Sequence, residues 1–597
     1  VHHVGEVCAT VMKSRPGLLA EISCGESIVA TDSTWKVMPA LCYSQDIGPM
    51  MSHFGFYEVC DYRKMPVGWT GLAFDDSAWH EAETIGECGC EPWVHLVPRD
   101  IPHLETRIID ATILRRGVWE ERPIDQSGDE VSVADEMSAR GRVVSEDAPT
   151  SFPIRLGVRG NDFVVLDFGR EVTGHVRLLL DNATDGARLD IGYDELLNDR
   201  GLPNPRRTYV HFADRFYLRD GQSEVEVFDA RGFRYLLVDV SGGVTIANAQ
   251  VDERTYPVPA TGTFRCSDER LERLYEIGLE TTRLCMLDTY VDTPSRERVL
   301  WMDSYLEGLC SGYGMGITDL WRRVLYLFAQ NACETGELTG AVKAFAPTDK
   351  DPIVQTYMMY YVCSLADYVL HTNDLLTGDA LFEVAMNQFA VLAKFTTAEG
   401  LIDDKWPDWQ FIDWSAMDYG GMSASVNAIY LVMHRKAARL ARELGKHSIA
   451  DDLTTRYDKL VRLFRKTFWI PDEGLFTDAI NDGERSPVRS QLTNALAVWA
   501  GVVSGDEARE IIRRIADKAT LLPVTTGDYR MQPDYKCQTG GIVPIGTPAL
   551  GTVLALVMFD LGMDDEAISY LIDAWSPLAV NGTFAEHFEF DKNTSLC

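Results

Sequence analysis

The feature that most constrains this chain is a change of texture at Pro257. Before it, short apolar and polar residues alternate between Gly, Pro, Asp and Asn breaks, the mark of strands and turns. After it, apolar residues recur at helical spacing. Ser267-Asp-Glu-Arg opens the first such run with a capping-box flavour. Asn427–Leu444, Ile449–Phe468, Gln491–Ala500, Asp506–Lys518, Thr547–Leu561 and Asp564–Trp575 are the clearest helical segments. A dozen or so helices over about 340 residues, with long loops between some pairs, suggest an (α/α)6 toroid. In that architecture inner helices bury on both sides, and the almost wholly apolar Thr547–Leu561 suits one of them. The expected fold is therefore multidomain, with N-terminal β-sandwich domains followed by an all-α toroid. The expected spans are 1–110 for a carbohydrate-binding-like sandwich, 111–257 for a second sandwich with a linker, and 258–597 for the helical domain.

In the first block, Thr34-Trp-Lys, Val67-Gly-Trp, Phe74 to Trp79 and Glu91-Pro-Trp93 supply a run of tryptophans. These fit either sandwich packing or a sugar-stacking platform. In the second block, Phe163–Phe168, His175–Leu180, Ala187–Ile191 and Phe233–Val240 read as strands. Gly169–Gly174 reads as a turn, and the acidic segment 127–147 as a loop or linker.

Composition narrows the partners. A net charge of −34 opposes nucleic acid and anionic membrane, both of which need a cationic face. No apolar run approaches the ~20 residues of a membrane span. Thirteen scattered cysteines without zinc-like pairs suit a reducing compartment. No signal peptide is visible, although the sequence opens at Val1 rather than methionine. Cytoplasmic placement is the expectation, with periplasmic or secreted placement left open. A homodimer is admitted but not required.

Three loops are dense in acids and aromatics where connectors are ordinarily just polar. The first runs from Asp292 to Gly308. Thr293-Pro294 reads as a helix N-cap with proline at the first position, which would set Glu297, Trp301 and Ser304 on one helical face. Taken alone, that stretch also fits a solvated helix start with a core tryptophan. The second loop, Asp403 to Tyr419, holds Trp406, Trp409 and Trp414 with five aspartates, Asp413 among them. The third is Asn581-Gly-Thr-Phe-Ala-Glu-His-Phe-Glu589. Hydrolysis of a glycosidic bond needs a protonated carboxyl at the leaving oxygen and a second carboxylate across the ring, ~6.5–9.5 Å away if configuration inverts. Glu297 is the candidate acid and Glu586 the candidate base, with Glu589 as local competitor. A helix N-terminus and Arg296 would both favour the charged form of Glu297, so the acid role asks Arg296 to turn away, toward Asp292. No nucleophile elbow, His-Glu-x-x-His, dinucleotide fingerprint or Walker sequence is present, so neither cofactor nor metal is expected.

On these residues the chain resembles the bacterial α-L-rhamnosidases of glycoside hydrolase family 78. That family places Asp-Cys-Pro, a glutamate and a tryptophan at the head of an (α/α)6 domain behind β-sandwiches. Asp292-Thr293-Pro294, Glu297 and Trp301 match in place, and Gly582–Glu586 resembles the family's late segment bearing the base. Leu96–Glu105, Arg206–Tyr217 and the Phe233-Arg-Tyr strand are similar to further family segments. The resemblance implies inverting, exo-acting hydrolysis of terminal α-L-rhamnose, with Glu297 as acid and Glu586 as base. Asp292, Arg296, Trp301, Asp303, Trp409, Asp413, Trp414 and His587 would bind the sugar, and the substrate would be a rhamnoside or other carbohydrate. The chain departs from the pattern at Thr293, at Ala585 and at Ser304, where the family aspartate falls one place early as Asp303. On a regular helix Asp303 would face away from the pocket. These changes leave two alternatives open: an enzyme acting on another deoxy- or uronic sugar, and a non-catalytic carbohydrate-binding relative.

Overall fold

The computed structural model describes residues 17–51, 54–91, 94, 96–120, 132–147, 151–158, 160–259, 262–342, 352–403, 405–524, 537–589 and 596. Trp93, Asp404 and residues 127–131 lie outside them. The chain divides into two compact units. One comprises the residues up to Thr255 together with Pro294–Arg298, and the other Tyr256–Thr293 with Val299 onward.

The first unit is built on an eleven-stranded sheet around one 21-residue strand, Asn161–Asp181. Its β-branched and aromatic run obeys the period of two. Val164 and Leu166 enter the main core with Phe233, Leu236 and Val238. Phe163 and Val165 point into a second cluster with Trp119, Met137 and Leu237. Trp119 stacks on Phe163 with centroids 4.3 Å apart. That contact requires Gly117, because a Cβ there would stand 2.9 Å from the Phe163 ring. The Phe163, His175, Ala187 and Phe233 segments fall in or against the strands Asn161–Asp181, Arg188–Asp194 and Arg231–Ser241.

Two local readings are corrected. Gly169–Gly174 is not a turn but part of the continuous long strand, whose pairing with Arg231–Ser241 shifts register between Asp167 and Val172. Gly169, at φ +79°, absorbs the bulge, and its N–H donates to Asp167. The described part of segment 127–147 is also ordered structure. Ser132 and Asp135 form a capping box that starts the helix Val133–Ser138, and Val143–Asp147 pairs with Thr112–Trp119. Val133 and Met137 bury into the second cluster, which a polar linker could not do.

Among the described residues between 17 and 105, Val59–Asp61 joins the large sheet by parallel pairing with Ala213–Tyr217, and the other strands form short antiparallel pairs, Glu21–Cys24 with Ser27–Ala30, Lys36–Val37 with His80–Glu81, and Pro49–Met51 with Phe54–Phe56. Trp35 and Trp79 are partly exposed and Trp69 is exposed.

In the second unit the helices are Glu269–Leu284, Ser304–Cys310, Asp319–Gln330, Gln355–Thr372, Leu375–Ala393, Ala424–Glu443, His447–Phe468, Gln491–Trp499, Gly505–Ala516, Pro548–Asp560 and Asp564–Trp575. The last six match the helical segments read from periodicity to within a few residues at their ends. Gln355–Thr372, Ala424–Glu443, Gln491–Trp499 and Pro548–Asp560 pack on one another in that order, and each also packs on the helix that follows it. The followers carry a single apolar stripe, as in Ala508, Ile511, Ile512 and Ile515 of Gly505–Ala516. Gln355–Thr372 and Ala424–Glu443 bury most of their circumference. Such helices can still carry polar residues that clamp loops. Asn427, fully buried, accepts from the Ile402 N–H at 2.8 Å and donates to its carbonyl at 3.0 Å, fixing the start of the tryptophan-rich loop. Asn494 does the same for Phe476.

Candidate active site

The stretch from Asp292 to Asp303 is not helical, contrary to its reading as a capped helix start. The Asp292 N–H donates to the Val299 carbonyl at 3.0 Å and pinches off a loop. Leu300–Trp301 then pairs antiparallel with Ala341–Val342, and the helix begins only at Ser304. Proline fits the second position of a turn as readily as the first turn of a helix, and Val299-Leu300-Trp301 has strand character. Glu297, Trp301 and Ser304 therefore share no helical face. The same correction changes the argument about Asp303, which occupies the N-cap position: with no helix running back to Glu297, helical phase cannot be counted between the two. Its carboxylate accepts from the Tyr357 hydroxyl at 2.9 Å, whereas Ser304 is buried. One turn further on is Glu307. Burial, reinforced by Asp303 and Asp292, raises its carboxyl well above the ordinary range.

Within the sheet-containing unit, the segment Pro294–Arg298 is tied down residue by residue. Pro294 lies against Gly232, where an added Cβ would come within 2.6 Å of the Pro294 carbonyl carbon. The Ser295 hydroxyl bonds to Glu195. Arg298 Nη2 donates to Asp229 Oδ2 at 2.6 Å. Glu297 is 8% exposed, and Arg296 donates to its Oε2 at 2.9 Å. Arg296 thus pairs with Glu297 rather than turning away from it.

In the helical unit, rings from three separate segments form a continuous chain. Trp301 meets Trp409 with centroids 5.9 Å apart, Trp409 meets Phe411 at 5.6 Å, and Phe411 meets Trp414 at 4.9 Å. Trp414 meets His587 edge-on at 6.2 Å, and Tyr357 touches both Trp301 and Phe411. His587 Nε2 stands 3.7 Å from Glu586 Oε2. Glu586 is partly buried, and Glu589 is exposed. The loop that carries them is held by backbone bonds, Ala585 N to Leu578 O at 3.0 Å and Phe588 N to Gly546 O at 2.9 Å.

Asp413 serves the frame of this wall. It is 3% exposed, and its two oxygens accept from the Gly546 N–H at 2.7 Å and the Thr547 hydroxyl at 2.8 Å. Burial raises its carboxyl against these bonds. Below it, Asp418 accepts from Asn481 and Ser486, and Asp478, pushed up to about 6 by burial, accepts from Ser490 and the Asp418 N–H.

The helical unit thus gathers Asp292 and Asp303 around Glu307, and strings Trp301, Trp409, Trp414 and His587 along one wall that ends at Glu586. Arg296 and Glu297 belong to the sheet-containing unit. Sequence reasoning missed Glu307 and Tyr357. Glu307 was within reach, since it follows Asp303 at i+4; Tyr357 lies on a helix whose apolar pattern hides it. Among the described residues no group of three His, Cys, Asp or Glu is arranged to hold a metal ion. No helix among them is long and apolar enough to cross a membrane.

Residues 259–557 match the family model of the bacterial alpha-L-rhamnosidase 6 hairpin glycosidase domain, and residues 159–254 that of the bacterial alpha-L-rhamnosidase concanavalin-like domain. The first of these matches covers half of the chain, and the second precedes it in the sequence. The chain belongs to the bacterial α-L-rhamnosidase family, glycoside hydrolase family 78. An α-L-rhamnosidase of Streptomyces avermitilis is 26% identical over 298 residues, 48% of this chain and 24% of that protein. The matched part thus spans about a quarter of that relative's length. The family 78 rhamnosidase of Bacillus sp. GL1 superposes with a TM-score of 0.85 at 21% identity, covering 98% of this chain and 79% of its own. The Klebsiella oxytoca rhamnosidase solved with rhamnose bound gives 0.66 at 21%, covering 83% and 93%. At such identities these two likenesses are of fold.

Proposed function

We propose that this protein is an inverting, exo-acting α-L-rhamnosidase in which Glu297 is the general acid and Glu586 the general base. Glu297 would protonate the glycosidic oxygen as the bond to the anomeric carbon breaks. Glu586 would take a proton from the water that attacks the opposite face of the ring. When substrate binds, Arg296 would move from Glu297 to a sugar hydroxyl, Asp292 and Asp303 would bind further hydroxyls, and Trp301, Trp409 and Trp414 would present apolar ring faces to the sugar. Asp413 would act indirectly, by holding the wall. The observation that carries this reading is the ring chain from Trp301 to His587, because it leads from the stretch after the acid to the residue beside the base. The exposure of Glu589 supports Glu586 over its neighbour.

The architecture we infer is an (α/α)6 toroid for residues 258–597, supported by the alternation of deeply buried and one-sided helices. The sheet at 111–257 is read as a sandwich, supported by its two apolar clusters. The short antiparallel pairs are the support for a smaller sandwich within 1–110.

The test is substitution of each carboxyl. Glu297→Gln and Glu586→Gln should each lower kcat on an α-L-rhamnoside by about 10³-fold or more while the thermal transition is retained. A near-wild-type rate in either variant would remove that residue from its role. A panel of aryl glycosides of other deoxy- and uronic sugars tests the sugar itself, and rhamnoside should be turned over fastest.

A further inference from the structure

We infer that Arg298 and Asp229 are positioning residues for the general acid. This rests on the acid role of Glu297 proposed above. The segment Pro294–Arg298 is five residues long and makes its side-chain attachments to the sheet-containing unit through residues on either side of Glu297. On one side are Pro294 against Gly232 and Ser295 on Glu195; on the other is Arg298 on Asp229. A short loop fixed at both shoulders has little freedom left for the residue between them.

The anchor under Arg298 is built more heavily than one ion pair needs. Asp229 Oδ2 also accepts from Arg231 Nη1 at 2.8 Å, and the Asp229 N–H donates to Glu58 Oε1 at 3.0 Å. Arg231 is fully buried and bonds in turn to Asp214, at 3.2 Å through Nη2 and 3.4 Å through Nε. Asp214 further accepts from the Tyr193 hydroxyl and the Glu58 N–H, both at 2.6 Å. Burial alone would raise the Asp229 carboxyl, but Arg298 and Arg231 hold it well below the usual range. The carboxylate that grips Arg298 therefore stays ionised wherever the enzyme works. A buried charge network rooted in three strand segments is rigid, and it ends on the residue next to the acid. Placement matters because general-acid catalysis needs a proton donor within hydrogen-bond reach of the leaving oxygen, and a shift of about 1 Å can cost about 10²-fold.

Positioning of an acid has a signature that a merely structural role lacks. An alcohol leaving group needs the proton, whereas a dinitrophenolate departs without it. Arg298→Ala should lower kcat about 100-fold on an alkyl α-L-rhamnoside, with KM changed by less than about 3-fold and dinitrophenyl rhamnoside hydrolysis by less than about 5-fold. Arg298→Lys, which keeps the charge but not the planar fork, should recover part of the loss, and Asp229→Asn should mimic it. In a Glu297→Gln background, Arg298→Ala should add almost nothing. Equal losses on both leaving groups, an unchanged rate, or a full additional loss in the Glu297→Gln background would overturn the inference. Should Arg298→Ala not fold, Arg298→Lys and Asp229→Asn give the same leaving-group comparison. If Glu297→Gln by itself keeps its rate on the alkyl rhamnoside, the acid assignment fails, and that outcome needs no Arg298 variant.

Discussion

The loop carrying Glu297 and the loop carrying Glu586 are held by different forces. The first is gripped by the ion pair of Arg298 on Asp229, with Gly232 allowing the close approach of Pro294. The second is held by backbone hydrogen bonds from Ala585 and Phe588 and by ring contacts through Trp414 and Phe411. Ion pairs orient a side chain through direction and charge; edge-on rings and backbone bonds set distance and exclude water. A donor of protons needs the first kind of control and a water-activating base the second. Substitutions should therefore separate the two loops.

The largest separation should come from Asp413→Ala. It strands the Gly546 N–H and the Thr547 hydroxyl, and Gly546 is the residue that receives the Phe588 N–H. Loss of about 2–4 kcal/mol in urea unfolding is expected, since each stranded buried donor costs about 1–3 kcal/mol. At a temperature where the variant is folded, its rate should fall on alkyl and dinitrophenyl rhamnosides alike, because water activation is impaired whatever the leaving group. A loss confined to poor leaving groups would merge the two loops into one.

A smaller effect, visible as a pH shift, should follow Glu307→Gln. Burial and the neighbouring Asp303 and Asp292 raise the Glu307 carboxyl, so the folded protein favours its protonated form. A raised value in the folded state gives stability that is complete below the ordinary carboxylate range and is lost as pH climbs through the folded value. Gln mimics the protonated group. The variant should match wild type within about 3-fold at neutral pH, and its Tm should gain on wild type as the medium becomes alkaline. A Tm difference independent of pH would mean that Glu307 does not titrate in this way. The smallest effect belongs to Glu589→Gln. This residue is exposed, and kcat/KM should change by less than about 2-fold. A loss like that of Glu586→Gln would reassign the base.

Much of the helical unit was legible because its signals are local. Ala424–Glu443, His447–Phe468 and Asp564–Trp575 announce themselves by period, and Thr547-Pro548 marks a helix start that the structure also has. Thr293-Pro294 carries the same local signal and gives a turn. What decides there is remote: Ala341–Val342 offers a strand partner, and Gly232, Glu195 and Asp229 hold the loop. The supporting role of Asp413 was hidden for the same reason, since its partners Gly546 and Thr547 lie 133 and 134 residues away. The acids and tryptophans of the loops stood out by composition. That Asp413 is tied into the frame became visible only with its hydrogen bonds. The misplaced aspartate was argued from helical phase, and that premise falls because the residues before Ser304 are not helical.

The central claim is that Glu297 and Glu586 act on one bond from opposite faces of the sugar. The most direct measurement is proton NMR of the anomer released in the first moments of hydrolysis of an α-L-rhamnoside. β-L-Rhamnose should form first and mutarotate afterwards. α-L-Rhamnose as the first product would mean net retention, a covalent intermediate on one of the two carboxyls, and the end of the acid–base assignment made for this pair.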